Sequence, residues 1–267
     1  MAIDGSGTQL DPWVITTYAE LVEKATETDE YCIINNDINI TDEYPNGDMP
    51  KLVIKGIVDG NNKKISNWYK TDDVAIWIEG STAQLYDCTI ANIYFKGDVF
   101  IRLRGNNDNF HFVNCNFHGI SWSALFFAID DDRSERNFSS CSFYIKSNSN
   151  YAALVSNTYS YIGMQYCNIR ITSTSASSIF STSTSTFVDS CYIEANIPAG
   201  AYYNFKNSIL DLSTTVTFTA NGNSGNDLNI INSTHAPNAS AGNGFAVVDD
   251  AHWKDVGYLN SIGFNAG

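Results

Sequence analysis

LYDCTI (85–90), FVNCNF (112–117), FSSCSF (138–143), MQYCNI (164–169) and VDSCYI (188–193) are five copies of one phrase. Each has a large apolar residue three places before a cysteine and an apolar residue two places after it. Cys88, Cys115, Cys141, Cys167 and Cys191 are separated by 27, 26, 26 and 24 residues. A period of this length is the mark of a repeat architecture in which each unit buries its apolar face only by stacking on the next.

A second phrase sets the register. VAIWIEG (74–80) and VFIRLRG (99–105) match position by position: Val74 with Val99, Ile76 with Ile101, Ile78 with Leu103, Gly80 with Gly105. Alternate residues are apolar, as a strand with one buried face requires. The residues between them point outward, so Trp77 lies under Arg102 and Glu79 under Arg104. The first is a cation–π arrangement and the second an opposite-charge pair. Aligning Cys141 with the next coil puts Ile129 after Leu103 and Asp130 after Arg104. The outward column Glu79, Arg104, Asp130 then alternates in sign. Like residues stack on like, so the cysteines form an inward column of small apolar side chains rather than a disulfide framework. The chain has no CxxC and no Cys/His pair at zinc spacing, and no metal or cofactor is expected.

Beyond Cys191 the column is expected to pass to asparagine, at Asn207 in FKNSIL and Asn232 in IINST; the 16 residues from Cys191 to Asn207 imply either a shortened coil there or a slip in the alignment. Cys32 stands outside the series. It lies 56 residues before Cys88, about two coils, which leaves its membership of the column open. DGNN (59–62) is a hairpin signal, but the repeats that follow favour a coil. TSTSASSIFSTSTST (172–186) reads as outward polar faces, with Ile179 and Phe180 near the core. ANGNSG (220–225) and HAPNASAGNG (235–244) read as loops.

Both ends read as caps. TTYAELVEKATETD (16–29) predicts a helix with Thr16 or Thr17 as N-cap, Glu20 close behind, and Tyr18, Leu21, Val22 and Ala25 on one face. DDAHWKDVGYLNSIGF (249–264) predicts a second helix from Asp249 or Asp250 to about Leu259, with Trp253 and Val256 on its apolar side. The divisions are a lead-in and cap at 1–30, a solenoid at 31–248 and a C-terminal cap at 249–267.

These residues resemble the right-handed parallel β-helix proteins of the pectate-lyase-like superfold, over residues 50–234 in the repeat. The lead-in GSGT…DPWVITTYAELV is similar to the opening segment of many surface and phage β-helix proteins. The fold class is therefore all-β: a parallel β-helix solenoid with short terminal capping helices. The superfold includes lyases, galacturonases, phage tailspikes and non-catalytic adhesins, so the resemblance speaks to architecture more than to function.

Composition narrows the rest. With 15 Lys+Arg against 29 Asp+Glu the net charge is −14, which disfavours nucleic acid and anionic membranes as partners. No apolar stretch is long enough to span a bilayer, and MAIDGSGTQLDPW does not read as a secretory signal. The expectation is a virion protein made in the host cytoplasm. It would be a non-catalytic tail or capsid appendage, tailspike-like, with host-surface glycan adhesion. Its partners would be other virion proteins and, because phage β-helices often trimerise, copies of itself.

The alternative is a polysaccharide lyase or glycoside hydrolase acting on the β-helix wall. Cleavage in this fold usually needs clustered carboxylates, with a cation or basic residues in lyases. The densest acidic place is Asp130, Asp131 and Asp132, beside Arg133, Glu135 and Arg136. It also reads as a solvated turn, because consecutive strand residues alternate in direction. Asp72 and Asp73 read as a turn too. His111, His118, His235 and His252 are scattered, and no nucleophile elbow, phosphate loop or dinucleotide fingerprint is present. No catalytic residue is assigned. The binding surface is read as the outward columns: Trp77, Arg102, Arg104, Trp122, Asp130, Asp131, Asp132 and Arg133. That surface could equally be a subunit interface or plain solvated sheet.

Overall fold

The computed structural model describes residues 3–70, 74–80, 82–96, 99–104, 111–121, 125–129, 138–147, 153–157, 162–173, 178–180, 186–195, 203–212, 228–232, 244–252 and 254–264. Its strands stack in parallel, coil upon coil, as a β-helix.

Three walls repeat in each full coil. Wall A precedes the cysteine, in strands such as Phe112–Val113 and Phe138–Ser139. Wall B follows it, in Asn116–Ser121, Ser142–Ser147 and Asn168–Ser173. Wall C is a six-stranded sheet running Leu52–Ile54, Val74–Glu79, Val99–Arg104, Leu125–Ile129, Ala153–Asn157 and Ser178–Phe180. Residue 74 pairs with 99, 76 with 101, 77 with 102, 78 with 103 and 79 with 104, as the phrase match requires. Ile129 pairs with Leu103. Ile76, Ile78, Ile101 and Leu103 enter the main core. Val74 and Val99 depart from the expected inward face: they are buried against Trp77 in a separate cluster, and Ala75 and Phe100 enter the main core beside them.

The corner between walls A and B explains the cysteines. The residue just before the column position takes a left-handed conformation in six successive coils: Asp87, Asn114, Ser140, Tyr166, Ser190 and Asn207, with φ between 45° and 54°. This turn interrupts the ladder and leaves backbone groups at the corner to be satisfied. The thiols do so. Cys115 Sγ donates to the carbonyl of Leu85 at 3.2 Å, Cys141 to Phe112 at 3.5 Å, Cys167 to Phe138 at 3.7 Å and Cys191 to Met164 at 3.6 Å. In each case the acceptor lies three residues before the column position of the preceding coil. All six cysteines are free and buried.

Past Cys191 the same task passes to Ser208 and then Asn229, not to Asn207 and Asn232. Ser208 Oγ donates to Val188 O at 3.4 Å, and Asn229 Nδ2 to Phe205 O at 3.1 Å. Tyr192 pairs with Ile209 and Ile209 with Ile230, so Cys191, Ser208 and Asn229 share one position. The coil from Cys191 to Ser208 is 17 residues by this register, so the expected shortening is present. Asn207 sits one place earlier, at the left-handed corner, where an asparagine is well tolerated. Asn232 ends the strand Asn229–Asn232.

Cys32 belongs to a neighbouring column. It pairs with Val58, which pairs with Leu85, which pairs with Phe112. Cys88 itself pairs with Lys63 across a register shift, and Gly60 lies against it, where an added Cβ would stand 2.6 Å from the Cys88 Cβ. Asp59–Asn62 makes no hairpin. Ile57–Ser66 continues through the corner and pairs in parallel with Gln84–Phe95, with Asn61 and Asn62 absorbed at positive φ.

Inside, aromatic rings repeat with the coils. Phe112 stacks on Phe138 at 5.3 Å and Phe117 on Phe143 at 5.2 Å. At the N-terminal end, helix α1 (Tyr18–Lys24) buries Tyr18 and Leu21, and Tyr18 meets Trp68 edge-on at 5.6 Å. Thr17 is its N-cap, in a capping box with Glu20. A short helix, α2 (Ile40–Glu43), is absent from the sequence reading. Its Glu43 carboxylate accepts from the backbone N–H groups of Tyr18 and Ala19, completing the start of α1.

At the C-terminal end, helix α3 runs only from Val256 to Ser261. Asp249 instead closes a turn, accepting from the N–H groups of Ala251 and His252, and Asp255 becomes the N-cap. Val256 is exposed; Leu259 and Phe264 cover Ile230 and Val248. Trp253, the segments 220–225 and 235–243, Asp72, Asp73 and His235 lie outside the described residues, as do the side chains of Ile179 and Phe180.

Candidate functional site

Trp77 and Arg102 are brought side by side on the outer face of wall C. The cation described over the Trp77 ring is Lys51, whose Nζ lies 4.2 Å from the ring centroid. Glu79 lies beside Arg104 in the ladder, and its carboxylate is 4.0 Å from Lys55 Nζ. Trp122, Asp130, Asp131, Asp132, Arg133, Glu135 and Arg136, and the side chain of Arg104, lie outside the described residues. Wall C therefore presents a tryptophan flanked by lysine and arginine, held by stacking of successive coils.

Wall B carries a second surface that the sequence reading passed over. From Cys115 onward its outward positions fall three and five residues after the cysteine. His118, Tyr144, Arg170, Glu194 and Asp211 form one column, and Ile120, Lys146 and Thr172 another. The sequence carries its signal in the third residue after each cysteine from Cys115 to Cys191, which is polar or aromatic in every copy: His118, Tyr144, Arg170 and Glu194.

A bulge breaks the flatness of this wall. Phe117 pairs with Ile90 and Gly119 with Ile93, so Ala91 and Asn92 together oppose His118. Asn92 takes φ 52°. Such insertions re-aim side chains and bend the strand. Gly119 makes the close approach possible, since an added Cβ would stand 2.3 Å from the Ile93 Cβ and 2.5 Å from its N. The result is an open groove of about 530 Å³, floored by Ile120 and walled by Tyr94, His118, Tyr144, Lys146 and Arg170.

A neighbouring groove of about 560 Å³ shares Asn92 and Tyr94 and extends to Tyr69 and Pro45. Tyr69 and Tyr94 stack with centroids 5.1 Å apart and planes 13° from parallel, and Tyr69 is 45% exposed. Amides line the edge. Asn92 Nδ2 donates to Asn67 Oδ1 at 3.1 Å, and Asn67 Nδ2 to Asn39 Oδ1 at 2.7 Å. Toward the other end, Asn168 Nδ2 donates to the Tyr144 hydroxyl at 3.3 Å, and Arg170 Nε lies 3.1 Å from Glu194 Oε1. Burial and the nearby Asp211 carboxylate raise the pKa of Tyr192, keeping it a neutral donor to Asp211.

An aromatic platform beside hydrogen-bonding amides, hydroxyls and cations suits a sugar, whose ring faces are apolar and whose edges are polar. Among the described residues, no group of three or more His, Cys, Asp or Glu could hold a metal ion. His111 is buried next to the core, and His252 is paired with Asp249 at 2.7 Å near the C-terminal end. Neither adjoins the grooves. No family model, curated protein or solved structure matches the chain.

Proposed function

We propose that this chain is a non-catalytic structural or appendage protein of a phage virion, adhering to host-surface glycans through the outer face of wall B. The observation that carries the adhesion reading is the exposed Tyr69–Tyr94 stack continuous with the groove over His118, Tyr144, Lys146 and Arg170. Stacked rings offer a sugar two platforms at a fixed angle, and the groove supplies donors and acceptors along its edges. Binding rather than cleavage is favoured at this place by chemistry. The wall-B segments that form the groove contain no carboxylate, whereas glycoside hydrolysis requires a pair. The virion assignment rests on the resemblance of the coil phrase and lead-in to phage β-helix proteins. With it come assembly with other virion proteins and trimerisation.

The test is binding of the purified chain to polysaccharides extracted from bacterial surfaces, with reducing ends measured in parallel. The expected result is saturable binding without release of reducing ends, weakened at least tenfold in Y69A/Y94A. Release of reducing ends by the chain, or binding that the double variant leaves unchanged, would overturn the reading.

A further inference from the structure

We infer that the wall-B groove selects an acidic oligosaccharide, with a carboxylate of the glycan held at the Lys146–Arg170 end. The inference rests on the adhesion reading above and names its ligand class. The chain carries 29 acidic residues against 15 basic ones. Yet the four successive wall-B segments 89–96, 116–121, 142–147 and 168–173 contain Lys96, His118, Lys146 and Arg170 and not one Asp or Glu. In a molecule of charge −14 these four acid-free segments offer an anion less repulsion than the chain's average surface.

The arrangement is specific as well as basic. Tyr144 pairs directly with Arg170, and Lys146 with Thr172, so Lys146 and Arg170 are diagonal neighbours on adjacent strands. Diagonal neighbours are about 7–8 Å apart at the backbone, within reach of one carboxylate bound between two long side chains. Both side chains are exposed. Glu194 lies against Arg170 Nε. That contact steadies the guanidinium while its remaining donors stay available, and the planar fork matches a carboxylate. Lys146 has no ion-pair partner among the described residues and adds a second positive charge.

Polarity runs along the groove. The tyrosine platform is at the N-terminal end and the cations at the C-terminal end. Tyr69 pairs with Tyr94, Tyr94 with Ile120, Ile120 with Lys146 and Lys146 with Thr172. Four steps of strand spacing give roughly 19 Å, room for an oligosaccharide laid across the coils rather than a single sugar. Beyond Arg170 the column turns acidic at Glu194 and Asp211, which sets the end of the site.

The experiment titrates the purified chain with polyuronate, polysialate and a sulfated polysaccharide, each beside its neutral counterpart: carboxyl-reduced for the first two, desulfated for the third. The expected result is at least tenfold tighter binding of one carboxylated polymer than of its reduced form at low salt. K146Q/R170Q should bring it down to the reduced form's affinity, and Y69A/Y94A should weaken both forms. The uronate and sialate arms identify which carboxylate is recognised. Preference for the sulfated polymer alone would overturn the carboxylate assignment. Equal binding of charged and neutral forms would overturn the acid selectivity while leaving glycan adhesion standing. No binding of any polymer would overturn both. Unchanged melting of the variants confirms that they fold.

Discussion

The backbone N–H of Ser208 donates to Asn229 Oδ1 at 2.9 Å, one coil to the next. The same amide sends its nitrogen to the Phe205 carbonyl, so one side chain satisfies two buried backbone groups at a corner where the ladder is broken. Leucine at position 229 would leave both groups unpaired, at about 1–3 kcal/mol each. The N229L variant should therefore melt well below the wild type in a thermal scan, whereas V247A, at an exposed position of the adjoining strand, should differ little. Equal losses would mean that Asn229 does not hold the corner.

The thiols make a second prediction. Burial pushes Cys32 up to about 12 and raises Cys88, Cys141 and Cys191 well above the ordinary thiol range. All six thiols are buried away from solvent, so a colorimetric disulfide reagent should label none of them in the native protein and all six in denaturant. Rapid labelling of the native chain would contradict a sealed column. Cys141→Ser keeps a donor for the Phe112 carbonyl and should retain the fold. Cys115→Asp buries a carboxyl in the same column and should prevent folding.

Much of this architecture was legible from spacing. The inward cysteines and the wall-C register follow from periodicity, because stacking repeats one environment; the N-cap, open between Thr16 and Thr17, follows from residue type alone. Where reading failed, the chemistry had changed while the geometry had not. A large apolar residue three places before the column position points to Ser208 after Phe205, and an apolar residue two places after it points to Asn229 before Ile231. Searching for asparagine itself led to Asn207 and Asn232 instead. The wall-B groove was missed for a different reason. Its bulge comes from one extra residue at Ala91–Asn92, which sequence spacing records only as a slightly longer interval between Cys88 and Cys115.

That bulge gives a third prediction. Gly119→Ala would force a methyl group into Ile93. Overpacking of this kind costs about 1–3 kcal/mol. The variant should melt lower, and glycan binding should weaken because the strand under His118 must move. A variant with wild-type melting and binding would show that the close approach is not needed.

Glu20 sets a fourth, in pH. Burial alone would raise its carboxyl, but the N–H and hydroxyl groups of Thr16, and those of Thr17, hold it below the usual glutamate range. A folded-state value below the unfolded one, about 4.3, means the contribution to stability is present above that pH. It disappears as pH falls through the folded value. The gap in melting temperature between wild type and E20Q should be widest near neutrality and close in acid. A gap that stayed constant with pH would show that ionisation of Glu20 plays no part. Thr17→Ala should cost about 1 kcal/mol through loss of the N-cap.

Six cysteines without a single crosslink give the fold an indifference to redox surroundings. Cys115, Cys141, Cys167 and Cys191 are occupied as donors to carbonyls, and all six thiols are buried behind the walls, away from outside oxidants. Transfer from a reducing interior to an oxidising exterior would then alter no covalent bond. The coils need neither an oxidase to mature nor a reductant to persist. Coil stacking does the work that bridges perform in many small extracellular domains, and the molecule would keep one covalent form in reducing and oxidising surroundings alike.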